Sequence, residues 1–308
     1  MRLERPVAEH TPVLAAAVTD AFSTLPAGAS VVDGTVGLGG HASLLLQRGL
    51  RVIGLDRDAT ALGRASGALA GYGGRAVVLH ARFGHWLEQA RALGLQRVNG
   101  LLLDLGVSSP QLDEASRGFS FRADAPLDMR MDTSQGETAA QLIARLPREE
   151  FTKILRDFGE ERLAWKIAGA VERDPPKTTW QLAEICRRVY PRGYQRIDPA
   201  TRTFQALRMA VNDELGELER ALAGIPEGLE KGGVVAIISF HSLEDRMVKH
   251  AFVRWEKEGL ARMLKRKPII ADETECASNP RARSAKLRVL FWGEAPGRIE
   301  KKAWRKAR

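Results

Sequence analysis

Asp33-Gly-Thr-Val-Gly-Leu-Gly-Gly-His41 follows the apolar run Ser30–Asp33 and precedes a helical pattern over Ser43–Gln47. Glycine turns through backbone angles closed to other residues and lets a ligand approach the main chain. A plain strand-to-helix turn has no use for four glycines in seven residues, so the stretch reads as a ligand loop. The helix start that follows it favours electronegative ligand groups. Outward from the loop, apolar runs bounded by turn residues predict buried parallel strands at Ser30–Asp33, Arg51–Asp56, Arg75–Ala81, Gly100–Leu105 and Val234–Phe240. Helical patterns separate the first four. This alternation implies a doubly wound α/β sheet with its ligand crevice above the strand carboxyl ends, where Asp33, Asp56, Asp104 and Ser239–Ser242 surround one cleft.

The stretch 112–218 is too long for one crossover helix and reads as an inserted helical domain, which leaves 1–111 and 219–308 as a discontinuous sheet domain. Within the insert, Pro147–Gly169 and Thr179–Val189 show helical spacing. Asp198-Pro199 is a suitable cap and first position for a long helix, on which Phe204, Leu207, Val211, Leu215, Leu218 and Leu222 share a face. Ser284–Trp292 alternates imperfectly and is expected as an edge strand of a terminal hairpin.

With 308 residues, 28% charged and 44% apolar, disordered, collagenous and disulfide-scaffold classes are excluded. The net charge of +9 is confined to the end of the chain: residues up to 261 carry 33 cations and 33 anions, and those after it 14 and 5. A basic end of this kind suits a polyanionic partner. No apolar run reaches the roughly 18 residues of a membrane span, and the Val13–Val18 patch is too short for a signal peptide, so a cytoplasmic protein without membrane contact is expected. Cys186 and Cys276 stand far apart and outside any metal-ligand spacing, so inert thiols and no metal site are expected.

Two cofactors compete for the loop. Gly37-Leu-Gly-Gly-His-Ala42 satisfies the dinucleotide pattern G-x-G-x-x-G/A, with Asp56 about 20 residues on. Asp33, four residues before Gly37, favours the other: an acid there meets the cation of an amino-acid moiety, and D-x-T-x-G-x-G resembles the first motif of S-adenosylmethionine-dependent methyltransferases, with Thr35 in place of the usual first glycine. Asp56 can accept both ribose hydroxyls under either reading, or cap the next helix. Phe83 can lie against an adenine ring or simply pack in the core. Asp104 ends the fourth strand and can accept hydrogen bonds from an amine being methylated, although the N/D-P-P-aromatic motif of many amino-methyltransferases is missing.

The resemblance then becomes specific. Asp33–His41, Asp104–Asp113, Arg117-Gly-Phe-Ser-Phe-Arg122, Pro126–Asp132, Asp198–Arg202, Phe204–Arg208, Ser239–Arg246 and Asn279–Lys286 together resemble the RsmH (MraW) family, over nearly the whole chain from about His10 to Lys286. These are bacterial 16S ribosomal RNA cytosine-N4 methyltransferases. The resemblance implies a Rossmann-like, mostly parallel sheet of seven strands, and S-adenosylmethionine as cofactor. It also implies contacts from Gly39, Gly40 and His41, from Asp56 to the ribose, from Phe83 near the adenine, and from Asp104 and Gln111 close to the reacting end. The implied target is the N4 amine of a decoding-site cytidine, within the small ribosomal subunit. A homodimer stays open.

Methyl transfer from a sulfonium is an in-line displacement that needs positioning more than covalent catalysis. Asp104 and nearby carbonyls can draw density onto the poorly nucleophilic N4. Methylation at C5 would need an attacking cysteine, and neither cysteine lies at a strand end over the cleft. Ser239, Phe240 and His241 face the cleft and suit an extruded base, although His241 reads equally as a structural histidine. In the insert, Phe119 and Phe121 between Arg117 and Arg122 combine stacking faces with phosphate-pairing cations. Arg202, Gln205, Arg208 and Asn212 lie on the polar side of the long helix, where a merely solvated face is the alternative. An NAD-dependent oxidoreductase and a non-catalytic ribosome assembly factor on the same fold are the competing functions. Neutralising Lys301, Lys302, Arg305 and Lys306 together is expected to weaken RNA binding and to flatten the slope of log affinity against log salt by up to about 3; an unchanged slope would take these cations out of phosphate contact.

Overall fold

The computed structural model describes residues 11–191, 193 and 197–293. The basic positions Arg298, Lys301, Lys302, Arg305, Lys306 and Arg308 lie outside the described residues. The chain divides into two compact units, Met1–Gly106 with Glu217–Arg308, and Val107–Gly216. The observed junctions fall at 106/107 and 216/217, against the expected 111/112 and 218/219. Gly106, at φ +97, turns the chain out of the sheet two residues after the fourth strand ends, and the short helix Ser109–Asp113 already belongs to the second unit.

The first unit holds one seven-stranded sheet. Its strands are β1 (Ser30–Asp33), β2 (Arg51–Asp56), β3 (Ala76–His80), β4 (Val98–Asp104), β5 (Leu229–Ser239), β6 (Ala261–Met263) and β7 (Lys286–Trp292), in the order β3-β2-β1-β4-β5-β7-β6. Only β7 runs against its neighbours. Successive side chains point to opposite faces, and here both faces are covered: Val31, Leu102, Ala236 and Ile238 enter one apolar cluster, and Val32, Leu101, Leu103, Val235 and Ile237 the other. Burial on both sides is why these strands read as continuous apolar runs.

The same principle corrects the reading of the chain end. β7 is an interior strand between β5 and β6, and Leu287 to Trp292 are all buried, so its sequence does not alternate. The edge belongs to β6, three residues long, too short for periodicity to reveal.

The second unit is helical, with Ala139–Arg145, Arg148–Gly159, Ala164–Arg173, Thr179–Val189 and Ala200–Asn212 packed around Phe151, Leu155, Ile167, Leu182 and Leu207. The stretch Pro147–Gly169 is two helices, parted where Glu160 takes a left-handed φ of 48°. Asp198 does cap its helix, its Oδ1 accepting the Ala200 N–H at 2.9 Å. That helix ends at Asn212, because Asp213 sits at φ 50°, and a new helix runs over Glu214–Ala223. The apolar stripe therefore serves two cores: Phe204 and Leu207 fill that of the second unit, Leu218 and Leu222 that of the first. Among the described residues no helix is long and apolar enough to cross a membrane.

Candidate active site

The strand order reverses between β1 and β4, the switch point at which an α/β sheet opens a crevice. The glycine loop leaves β1 here and is stitched to both neighbours of that strand. Gly34 N–H donates to Leu102 O at 2.9 Å, and Val36 N–H donates to Leu55 O at 2.9 Å. A Cβ on Gly34 would lie 2.5 Å from Leu103 Cδ2 and 2.9 Å from Phe83 Cβ, so this position has no room for a side chain. Gly37 (φ +52) and Gly39 (φ +86) occupy the left-handed region. Gly39 then starts the helix Gly40–Gln47, in whose first turn His41 is buried with its Nε2 at 3.7 Å from Asp104 Oδ2.

Each strand end carries one acid. Asp56, ending β2, accepts the Gly37 N–H on Oδ2 and the Asp58 N–H on Oδ1, both at 2.9 Å. Asp58 rather than Asp56 caps the following helix, accepting the Thr60 N–H at 3.0 Å. Burial raises the Asp56 pKa from its ordinary value. Asp33, ending β1, is fully enclosed; its Oδ1 accepts the Thr35 N–H at 3.2 Å and its Oδ2 has no hydrogen-bond partner. Loss of water pushes its pKa up to about 7, with the Asp56 charge adding to the effect. Asp104, ending β4, keeps 26% of its side chain exposed, and its Oδ1 is without a partner. Burial, then the charges of Asp33 and Glu244, push its pKa up to about 8.

Thr35 joins two of these acids. Its Oγ1 accepts the Asp104 N–H at 2.6 Å, while its backbone N–H and its hydroxyl both bond to the Asp33 carboxylate. A glycine at this position would leave the Asp104 N–H without that acceptor. The departure of Thr35 from the common motif was visible in the sequence, but its purpose was not, since the partner lies 69 residues away.

The other candidates fall into place unevenly. Phe83 opens a single helical turn, Phe83–His85, and packs beside the apolar cluster that contains Trp86. At the end of β5, Ser239 is buried with its hydroxyl donating to Lys286 O at 3.4 Å, so it is bonded inside the sheet. Phe240 lies over Gly106, where a Cβ would come within 3.4 Å of the ring. His241 caps the helix Ser242–Lys257, its Nδ1 accepting the Glu244 N–H at 3.4 Å while Glu244 Oε2 accepts the Phe240 N–H at 2.9 Å. That is the structural role foreseen as its alternative.

Within the second unit, Gln111 is buried and closes a capping box by accepting the Ser108 N–H at 3.0 Å. Arg117 and Phe119 are corrected from exposed readers to core residues. The Arg117 guanidinium donates to Arg130 O and Met131 O, and Phe119 is 8% exposed. Phe121 is half-buried edge-on against Phe204, with ring centres 4.9 Å apart, whereas Arg122 is exposed. Arg208 forms a two-point pair with Glu214 at 2.7 and 2.8 Å, Gln205 donates to Phe158 O, and Asn212 is buried with its amide donating to Met129 O. Arg202 remains half-buried on the same helix. Buried Cys186 has its thiol pushed up to about 12, which makes it unfit as a nucleophile.

The profile of the MraW methylase family matches residues 7–291. The chain belongs to the MraW methylase family. It is similar to the ribosomal RNA small subunit methyltransferase H of Synechococcus sp. (strain CC9605), 49% identical over 297 residues that cover 92% of this chain and 97% of that one. The protein of the same name from Anaeromyxobacter sp. (strain Fw109-5) is 47% identical over 302 residues, covering 91% and 97%. Among solved structures, an rRNA methylase from Streptococcus thermophilus aligns over 96% of this chain and 100% of its own at 12% identity and a TM-score of 0.44, too distant to add to the assignment.

As a member of the MraW methylase family the chain is an S-adenosylmethionine-dependent methyltransferase. Its crevice fits that cofactor: an enclosed carboxylate, Asp33, and a partly exposed one, Asp104, each with an unpartnered oxygen, suit a cation, and S-adenosylmethionine carries an ammonium and a sulfonium. In the free protein the folded chain holds the Asp33 and Asp104 protons more tightly than the unfolded chain does. Their contribution to stability is therefore full below about pH 4 and lost as the pH rises through about 7 to 8. Asp104→Asn, which removes the charge but keeps the shape, is expected to unfold at the same denaturant concentration as the parent at pH 4. At pH 8.5 it should be more stable by over ~1 kcal/mol, since one pKa unit corresponds to ~1.4 kcal/mol. Equal gains at both pH values would mean that the buried charge is not the cause.

Proposed function

We propose that the enzyme transfers a methyl group from S-adenosylmethionine to the N4 amine of a decoding-site cytidine in 16S ribosomal RNA, acting in the cytoplasm on RNA of the small ribosomal subunit. The observation that carries the reading is the pairing of Asp33 and Asp104 at adjacent strand ends, each with an oxygen free to accept. The relatives named ribosomal RNA small subunit methyltransferase H, aligned over nearly their full length, support the RNA substrate. The basic chain end adds phosphate affinity.

Asp33 accepts the ammonium of the amino-acid moiety through Oδ2, held in place by Thr35. Asp56, kept in register by Gly37 and Asp58, accepts the ribose hydroxyls. Phe83 lines the adenine, and Gly39, Gly40 and His41 give the loop its close approach. S-adenosylmethionine supplies an electrophilic methyl carbon on a sulfonium. Cytosine N4 is a weak nucleophile because its lone pair is shared with the ring, so Asp104 Oδ1 accepts one of its hydrogens and stabilises the positive charge that develops on nitrogen. A cation nearby lowers the Asp104 pKa from about 8, so the carboxylate is charged when it is needed. Phe240, with Ser239 and His241 behind it, stacks on the extruded base. Arg122, Phe121, Arg202 and Arg208 contribute to recognition of the RNA by the inserted domain, in which Arg117 and Phe119 hold the fold.

The test has two arms. Nucleoside mass spectrometry of small-subunit RNA from cells with and without the gene should show loss of the methyl group from N4-methylated cytidine alone; loss of a C5-methyl signal instead would overturn the target. Asp104→Ala should lower the rate of methyl transfer by at least ~10²-fold, the scale of removing one preorganised electrostatic partner, with RNA affinity unchanged. Near-normal turnover would remove Asp104 from the chemistry.

A further inference from the structure

Glu217 is a fully buried carboxylate on the helix Glu214–Ala223, in the same unit as the glycine loop. Its Oε2 accepts the Gly84 N–H at 3.0 Å, and its Oε1 lies 2.7 Å from Arg220 Nη2 and 3.5 Å from Arg82 Nη1. It therefore grips the residues on both sides of Phe83. One helical turn further on, Ala221 O accepts the Trp86 indole N–H at 2.9 Å. The single turn Phe83–His85 is thus fastened to this helix at two points. Glycine at position 84 is required by the same contact, because a Cβ there would fall on Glu217 Oε2. Phe83 in turn backs the start of the cofactor loop, where its Cβ occupies the space a side chain on Gly34 would need.

A carboxylate taken out of water is costly unless its oxygens are well paired. Here the pairing is spent on the single turn that links β3 to the helix Trp86–Ala92, and it holds the backbone on either side of the Phe83 ring. We propose that Glu217 is a positioning residue for the adenine subsite: by fixing the turn that carries Phe83 it sets the affinity for the adenosine part of the cofactor without touching it. This rests on Phe83 lining the adenine, and the two claims fail separately.

The experiment measures binding of S-adenosylhomocysteine by calorimetry and of adenosine by ligand-observed NMR to the full chain and to Phe83→Ala, Glu217→Ala, Glu217→Gln and the Phe83→Ala/Glu217→Ala double variant. Melting is recorded in parallel. Glu217→Ala is expected to weaken both ligands by the same factor, about 10-fold. Glu217→Gln, which keeps an acceptor for the Gly84 N–H, should recover part of that loss and serves as the readout if the alanine variant does not fold. The double variant should bind no more weakly than the weaker single one, because both substitutions remove one interaction. If Phe83→Ala weakens binding while both Glu217 variants bind like the parent, whatever their melting, Glu217 is an internal ion pair only and the proposal is overturned. Losses that add in the double variant overturn it as well, since Glu217 would then act other than through Phe83. Unchanged binding by Phe83→Ala overturns the adenine assignment itself.

Discussion

Asp33 and Asp104 end adjacent parallel strands on the two sides of the sheet's switch point, where loss of water opposes the charge on each. Burial raises both pKa values, and each carboxylate retains an oxygen that no protein group satisfies. Such a site favours a cation, and a ligand that carries an ammonium and a sulfonium would suit the two acids. Much of the surrounding structure serves this arrangement. The left-handed glycines carry the loop around the ligand position, Thr35 ties one acid to the backbone of the other, and Asp56 anchors the loop at Gly37. On the proposed assignment, desolvation of the two acids would favour a cationic cofactor.

The division of the chain begins close to one of these acids. The polypeptide leaves the sheet two residues after Asp104 and returns at Glu217, whose buried carboxylate takes hold of the turn behind Phe83. The helical unit in between has a core of its own, in which Arg117, Phe119, Gln205 and Asn212 are committed to internal contacts. Cations and aromatic rings in a row look alike in sequence whether they face RNA or a carbonyl, and only the fold distinguishes them.

What was legible in the sequence was whatever depends on near neighbours. The strands β1 and β2, the glycine loop and the acids at the strand ends could be read because apolar runs, turn residues and short spacings declare them. What was hidden depends on distant partners. Thr35 answers to the Asp104 backbone, Gly84 to Glu217, and the apolar stripe from Phe204 to Leu222 is shared by two cores across a left-handed Asp213. The interior place of β7 is hidden for a related reason: a strand covered on both faces loses the alternation that would mark it.

The central claim is that the crevice holds protons which the cofactor's positive charge displaces. Calorimetric titration of the protein with S-adenosylmethionine at pH 7, repeated in buffers of differing ionisation enthalpy, counts those protons directly. Release of about one proton per cofactor bound, lost in the Asp33→Asn/Asp104→Asn double variant, is the expected result. Binding of equal strength with no proton released would show that Asp33 and Asp104 are already charged in the free protein, and would contradict the account.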